Sequence, residues 1–355
     1  MTEAILITGG CGFVGSNLGI QLKKDFPNVR IIAFDNLKRR GSELNLSRLK
    51  EYDIEFIHGD IRNKEDFNEI GEISIVIEAA AEPSVLSGIH STPDYVLNTN
   101  LSGTINCLNF ALKHKAKFIF LSTSRVYPIA SLNQILYEQG PTRFNIKEKQ
   151  NLEGVTEKGI NEKFPLNGAR SFYGTSKLAS EMIIQEYIEF YGLRAVINRC
   201  GVITGPWQMG KIDQGVIVLW LAKHFWKKEL SYIGFGGEGS QVRDILHIDD
   251  LYSLVKTQIN NIDLYINQIY NVGGGMDISV SLMELTHLCE EVTGNKIKIN
   301  NIPENRLADI PVYISDFSKI NAVSGWVPKI HPKEIITDIF DWMKSNELSV
   351  KNLLS

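Results

Sequence analysis

Thr8-Gly9-Gly10-Cys11-Gly12-Phe13-Val14-Gly15-Ser16-Asn17-Leu18 follows directly on the apolar run Ala4-Ile5-Leu6-Ile7. A short β-rich run, a glycine turn and the start of a helix stand in that order. Gly9 allows the tight turn, Gly12 lets a pyrophosphate approach the backbone, and Gly15 lets helix and strand pack closely. The helix opening at Phe13 and Val14 points its amide dipoles at the phosphates. Asp35, with Asn36 beside it, ends the second apolar run, at the spacing where a carboxylate bonds a ribose diol. Together these residues predict a dinucleotide site. Asp35 would repel a 2′-phosphate and so favours NAD over NADP, although Lys38-Arg39-Arg40 could hold that phosphate and keeps the alternative open. Asp60, followed by Ile61, is placed to accept from the adenine amine. Ala79-Ala80-Ala81 offers small side chains where backbone must approach the cofactor.

Outward from this turn, β-rich runs recur at Arg30 to Phe34, Glu55 to Ile57, Ser74 to Ile77, Phe118 to Ser122 and Ala195 to Asn198, with helical patterning between them. That alternation predicts an α/β fold, a doubly wound parallel sheet with helices on both faces. We expect residues 1–198 to form this dinucleotide-binding domain. An excursion over 128–170, rich in Gly and Pro, reads either as a substrate-side lid or as a surface insertion without a role. Residues 199–355, with glycine clusters at 234–239 and 273–275, predict a smaller substrate domain, part of which packs back on the first.

Composition removes several function classes. Lys and Arg total 37 against 41 Asp and Glu in 355 residues, so there is no basic footprint for nucleic acid or an anionic membrane. The longest apolar stretch, Val216-Ile217-Val218-Leu219-Trp220-Leu221-Ala222, is far below the roughly 20 residues needed to span a bilayer. The amino terminus lacks the basic and small-residue pattern of a signal peptide, so a cytoplasmic location is expected. Cys11, Cys107, Cys200 and Cys289 are scattered and, like the dispersed histidines, show no ligand spacing, so neither a disulfide framework nor a metal site is expected.

Ser171-Phe172-Tyr173-Gly174-Thr175-Ser176-Lys177 opens a long amphipathic segment. Tyr173 and Lys177 lie one helical turn apart and share a face. An ammonium beside a phenol stabilises the phenolate, as a general base for a sugar hydroxyl requires. Phe120-Leu121-Ser122-Thr123-Ser124-Arg125 ends a strand in hydroxyl residues, and ligands of such sheets sit beyond the carboxyl ends of the strands. Thr123 could bond the same hydroxyl as Tyr173.

The ordered set of glycine turn, strand-end Asp35, Asn100-x-x-Gly103-Thr104, hydroxyl strand end and Tyr-x-x-x-Lys resembles the extended short-chain dehydrogenase/reductase superfamily over essentially the whole chain. By that resemblance Thr123, Tyr173 and Lys177 are catalytic, while Asn100, Tyr173 and Lys177 also line the NAD site. The resemblance further implies a nucleotide-sugar substrate and a homodimer or homotetramer. Dehydratases of the superfamily carry Thr-Asp-Glu at the strand end, and decarboxylases a Glu after Thr-Ser; Ser124 and Arg125 stand there instead, which disfavours dehydration. The stretches 198–215 and 232–250 resemble the subgroup that epimerises C2 of CDP-linked hexoses, of the CDP-paratose/CDP-tyvelose type. On that resemblance Ser124, Arg125, Asn198, Arg199, Gln208, Lys211, Gln214, Gln241 and Arg243 are expected to meet the substrate, with Arg243 and Lys211 on its diphosphate. A 4-epimerase acting on a UDP-sugar and a non-catalytic NAD-sensing protein are the alternatives, the latter opposed by the presence of both Tyr173 and Lys177.

Overall fold

A computed structural model describes residues 4–89, 91–210 and 215–354. The chain opens with β1 (Ala4–Thr8), α1 (Phe13–Asp25), β2 (Arg30–Asp35), α2 (Asn45–Glu51), β3 (Glu55–His58) and β4 (Ile75–Glu78). Then come α3 (Asp94–Leu97), α4 (Gly103–Lys113) and β5 (Lys117–Thr123), the two helices joined through a π-helical turn over Asn98–Ser102. The 128–170 stretch holds a short helix α5 (Ile129–Leu132) and two hairpins, β6 (Tyr137–Gln139) with β7 (Phe144–Ile146) and β8 (Val155–Thr156) with β9 (Gly159–Ile160). Next are α6 (Phe172–Tyr191), β10 (Ala195–Cys200), β11 (Val202–Thr204), α7 (Val216–Phe225), β12 (Leu230–Ile233), β13 (Val242–His247), α8 (Ile248–Asn260), β14 (Gln268–Val272), β15 (Ser279–Ser281) and α9 (Leu282–Thr293).

The main sheet has seven strands in the order β14-β10-β5-β4-β1-β2-β3. β3, β2, β1, β4 and β5 pair parallel throughout. The order reverses beside β1, and in sheets of this kind the crevice beyond the strand ends at that reversal receives the ligand. β1 is buried along its whole length, as a strand covered by helices on both faces must be. Leu6, Phe34, Val76, Phe118 and Phe120, all fully buried, join Cys107 and Leu108 of α4 and Ile184 of α6 in one core. Each such large side chain contributes about 1.5–3 kcal/mol over exposure. The doubly wound α/β fold expected from the alternating runs is the fold observed.

Two compact units share the chain. The first comprises Met1–Val126, Ser171–Arg199 and Tyr252–Tyr270, the second Tyr127–Arg170, Cys200–Leu251 and Asn271–Ser355. The division is therefore not a single cut at residue 198: the excursion belongs to the second unit and most of α8 to the first. Within the second unit the excursion is tied down through Arg143, which reaches the Glu284 carboxylate at 2.5 Å and the Ser279 carbonyl at 2.7 Å. Glu284 also closes the capping box of α9 with Ser281. There β13 pairs parallel with β11 and antiparallel with β15.

Candidate active site

Each glycine of the opening turn meets a different constraint. Gly9 has φ +66°, where a side chain would be strained, and a Cβ there would lie 2.8 Å from the Ala80 backbone. A Cβ on Gly15 would stand 2.2 Å from the Gly9 carbonyl oxygen, so this glycine sets how closely α1 packs on the turn. At Gly12 the nearest atom to an added Cβ is the Gly9 oxygen at 3.1 Å, and no other lies within 4 Å. Gly12 is the N-cap of α1 and supplies no side-chain acceptor to the first turn at Phe13 and Val14. A helix start with open backbone beside it suits a phosphate. This turn thus has the shape a dinucleotide pyrophosphate requires.

Asp35, at the end of β2, accepts from the backbone N–H of Leu37 at 2.7 Å and of Cys11 at 3.0 Å. Burial raises its pKa even though those N–H groups pull it down. Asn36 donates to Asp60 at 2.9 Å. Asp60 differs from its expected use. Its two oxygens also receive the Arg62 backbone N–H and two guanidinium nitrogens, at 2.6–3.0 Å. Four donors fill the roughly four lone-pair sites of a carboxylate, so an adenine amine would have to displace one. Burial alone would raise Asp60, but the Arg62 guanidinium holds it at about 2. Ile61 is buried, its side chain against Gly103 of α4, which leaves only its backbone for a ligand.

Ala79 and Ala80 follow β4 and pack on Gly9, and Ala81 continues the turn. Asn100, expected on the cofactor, is fully buried and serves that turn instead. Its side chain accepts from the Glu82 N–H at 2.8 Å and donates to the Glu82 carbonyl and the Ser176 hydroxyl, each at 3.1 Å. Both its donors are occupied, so its side chain clips this loop and has no N–H left for a ligand. The π-helical turn carrying it leaves its carbonyl open to the hydroxyls of Thr104 and Ser180.

On α6, Ser171 caps the helix by accepting from the Gly174 N–H, and Gly192 closes it in the left-handed conformation. Tyr173, Lys177 and Glu181 therefore recur on one face. Tyr173 is partly exposed, whereas Lys177 is 2 % exposed with Nζ 3.8 Å from the Phe120 ring centroid. Thr123 ends β5 at 7 % exposure, and its hydroxyl accepts from the Arg125 N–H at 3.2 Å. Ser124 and Arg125 are half-buried. Next to Thr123, Ser122 donates to Glu181 at 2.5 Å, and Glu181 pairs with Arg199. One network thus fixes the end of β5 against the helix face that presents Tyr173.

Several residues expected on the substrate serve the interior instead. Arg199 is 2 % exposed and held by Glu181. Asn198, fully buried, exchanges two amide bonds of 2.9 Å with Gln258. Gln208 braces its own turn, donating to the Ile203 carbonyl and accepting from the Thr204 hydroxyl. Asn198 and Arg199 lie on β10, which is buried along its whole length, and Gln208 is half-buried in the turn that follows β11. Arg243 bonds the carbonyls of Val242 and Ile310 and pairs with Asp309 at 3.2 Å, rather than with the adjacent Asp244. Gln241 donates to the Ile233 carbonyl, while its buried Oε1 has no hydrogen-bond partner among the described residues. Lys211 and Gln214 lie outside the described residues.

Glu78 and Glu181 were not singled out from sequence. Glu181 falls on the same four-residue spacing that links Tyr173 to Lys177, and Glu78 is a charge closing the apolar run Ile75-Val76-Ile77. Among the described residues no group of His, Cys, Asp and Glu could hold a metal ion, and no helix is long and apolar enough to cross a membrane.

The sequence profile of the NAD dependent epimerase/dehydratase family matches residues 5–273. The chain is 32% identical to CDP-paratose 2-epimerase of Salmonella typhi over 349 residues, covering 96% of this chain and 99% of that one. It is 26% identical to UDP-glucuronate 4-epimerase of Thermodesulfobacterium geofontis, covering 98% of each. The dTDP-glucose 4,6-dehydratase of Bacillus anthracis, solved in complex with NAD, superposes with a TM-score of 0.75 at 25% identity over 99% of each chain.

Proposed function

The chain belongs to the NAD dependent epimerase/dehydratase family, and we propose that it is a nucleotide-sugar epimerase inverting C2 of a CDP-linked hexose. The observation that carries the reaction class is the buried Lys177 ammonium on the same α6 face as Tyr173, with Thr123 at the end of β5. The 32% identity to CDP-paratose 2-epimerase supports the choice of carbon and base.

Tyr173, as phenolate, takes the proton of the C2 hydroxyl. Lys177 favours that phenolate by its charge, and Thr123 holds the same hydroxyl oxygen. Bound NAD supplies the hydride acceptor, so that C2 is oxidised to a transient ketone and then reduced from its other face. Tyr173 returns its proton in the second half, and the cycle is redox-neutral. Gly12 and the start of α1 would receive the pyrophosphate of NAD, Asp35 its ribose, and the turn at Ala79, Ala80 and Ala81 its approach along the backbone. Ser124 and Arg125 offer no carboxylate acid beside Thr123, which argues against dehydration. In the second unit, Arg243 and Gln241, whose buried Oε1 has no hydrogen-bond partner among the described residues, are the groups we assign to the nucleotide moiety.

Incubation with CDP- and UDP-hexoses in deuterated water, followed by NMR, tests this reading. Inversion at C2 of a CDP-sugar without deuterium at that carbon is the expected result. Inversion at C4 of a UDP-sugar would replace it with the second reading, which the 26% identity to UDP-glucuronate 4-epimerase favours. The same proposal includes a cytoplasmic homodimer or homotetramer. Met182, Phe190 and Tyr191 on α6 are large apolar side chains left exposed in the single chain. Sedimentation as a monomer at micromolar concentration would remove the oligomer.

A further inference from the structure

Glu78 closes β4 with a fully buried carboxyl. In register it stands beside Thr8 of β1 and Phe120 of β5. Its Oε1 lies 2.5 Å from the Thr104 hydroxyl, whose single proton it shares with the Asn100 carbonyl at 2.6 Å, whereas Oε2 has no hydrogen-bond partner among the described residues. An unsatisfied carboxylate oxygen in the interior is costly and calls for an explanation. The titratable groups facing it are Lys177 from α6 and Cys107 from α4; Thr8, Thr104 and Phe120 are uncharged. Burial pushes the Cys107 thiol far up and Glu78 adds to that, so it stays neutral. Lys177 is the cation, its Nζ over the ring of the Phe120 that neighbours Glu78 in register.

A lysine removed from water tends to lose its proton unless an anion compensates. We propose that Glu78 is a positioning residue for Lys177: its carboxylate keeps the buried ammonium charged, and so preserves the field that favours the Tyr173 phenolate. This rests on the reading of Tyr173 and Lys177 as the acid–base pair. Burial raises Glu78 to about 7 while Lys177 pulls it down. The carboxyl is therefore an anion above about pH 7.

The full chain, labelled with heavy carbon at lysine Cε, is titrated by NMR as wild type, Glu78→Gln and Glu78→Asp, the Lys177 signal being assigned by its loss in Lys177→Met. In Glu78→Gln the Lys177 midpoint is expected to fall by about one pH unit or more, a tenfold change in its proton affinity. Glu78→Asp, which keeps the charge, should restore part of the shift. With CDP-paratose as substrate, the alkaline limb of kcat should move down in the same order while KM holds. A purely structural Glu78 would leave both midpoint and limb in place, and an identical Lys177 titration in wild type and Glu78→Gln overturns the proposal. Should the glutamine variant not fold, Glu78→Met, which also removes the charge, is titrated in its place, and an unchanged Lys177 midpoint there overturns it equally. An active Tyr173→Phe enzyme would remove the acid–base reading and leave a Lys177 shift standing, so the two failures are distinct.

Discussion

The Glu181 carboxylate accepts from Arg199 Nη2 at 2.7 Å and from its Nε at 3.1 Å, with both side chains almost entirely withdrawn from solvent. With Ser122 on the same carboxylate, this pair ties β5, α6 and β10 together directly behind Thr123 and Tyr173. Removing one member of a buried pair strands the other charge. Glu181→Gln is therefore expected to cost about 3–5 kcal/mol in urea unfolding. Replacing Glu181 and Arg199 together by methionine should recover most of that loss, because no charge is left uncompensated. A Glu181→Gln protein as stable as wild type would contradict this.

The fold and the shared face of Tyr173 and Lys177 were legible because their signals are local. Gly9, Gly12 and Gly15 recur at three-residue spacing after a strand, and Tyr173 and Lys177 at four within a helix. Residues whose use depends on distant partners were not. Arg199 reads as a substrate contact until Glu181, eighteen positions earlier, is seen to hold it. Asn198 has its partner at Gln258, and Asn100 reaches back to Glu82. Asp60 follows β3, but its acceptor capacity is consumed by Arg62 and Asn36. Periodicity reports which face a side chain takes; it does not report which partner waits there.

The glycines of the turn separate binding from folding. At Gly12, φ is −71° and an added Cβ meets only the Gly9 oxygen at 3.1 Å, so Gly12→Ala should fold and lose cofactor, with NAD affinity down about 10- to 100-fold, roughly 1–3 kcal/mol of overpacking against the pyrophosphate. At Gly15 the same methyl would stand 2.2 Å from a carbonyl oxygen, and Gly15→Ala should lose thermal stability itself. NAD content after purification, read beside the unfolding midpoint, checks both. Equal cofactor retention in Gly12→Ala and wild type would count against the placement of the pyrophosphate.

Asp244 gives the stability of the second unit a pH dependence. Burial raises it from 3.8 to about 6, although Ser315 and the Gly275 N–H pull it down. A carboxyl whose folded pKa lies above its unfolded value contributes stability that is complete below the unfolded pKa and is lost as pH rises through the folded one. Between about pH 4 and pH 6 the wild type should thus lose about 3 kcal/mol from this group. Asp244→Asn cannot ionise, so it should unfold at a higher temperature than wild type at neutral pH and differ least near pH 4. A difference independent of pH would show that Asp244 is not the titrating group.

Tyr173→Phe is the sharpest test of the chemistry. The phenol is partly exposed on a helix capped by Ser171 and anchored by the buried Lys177 and Glu181. Removing one oxygen should leave fold and cofactor content unchanged. General acid–base groups are worth about 10²–10⁴ in rate, and in the proposed mechanism one group serves both halves of the cycle, so turnover should fall at least to the lower end of that range. The loss should appear in kcat rather than KM, because binding of the nucleotide does not pass through this hydroxyl. The variant should also fail to bleach or reduce bound NAD when a CDP-hexose is added, since oxidation of C2 requires the proton to leave its hydroxyl. Full activity with retained NAD would transfer the role of base to another residue.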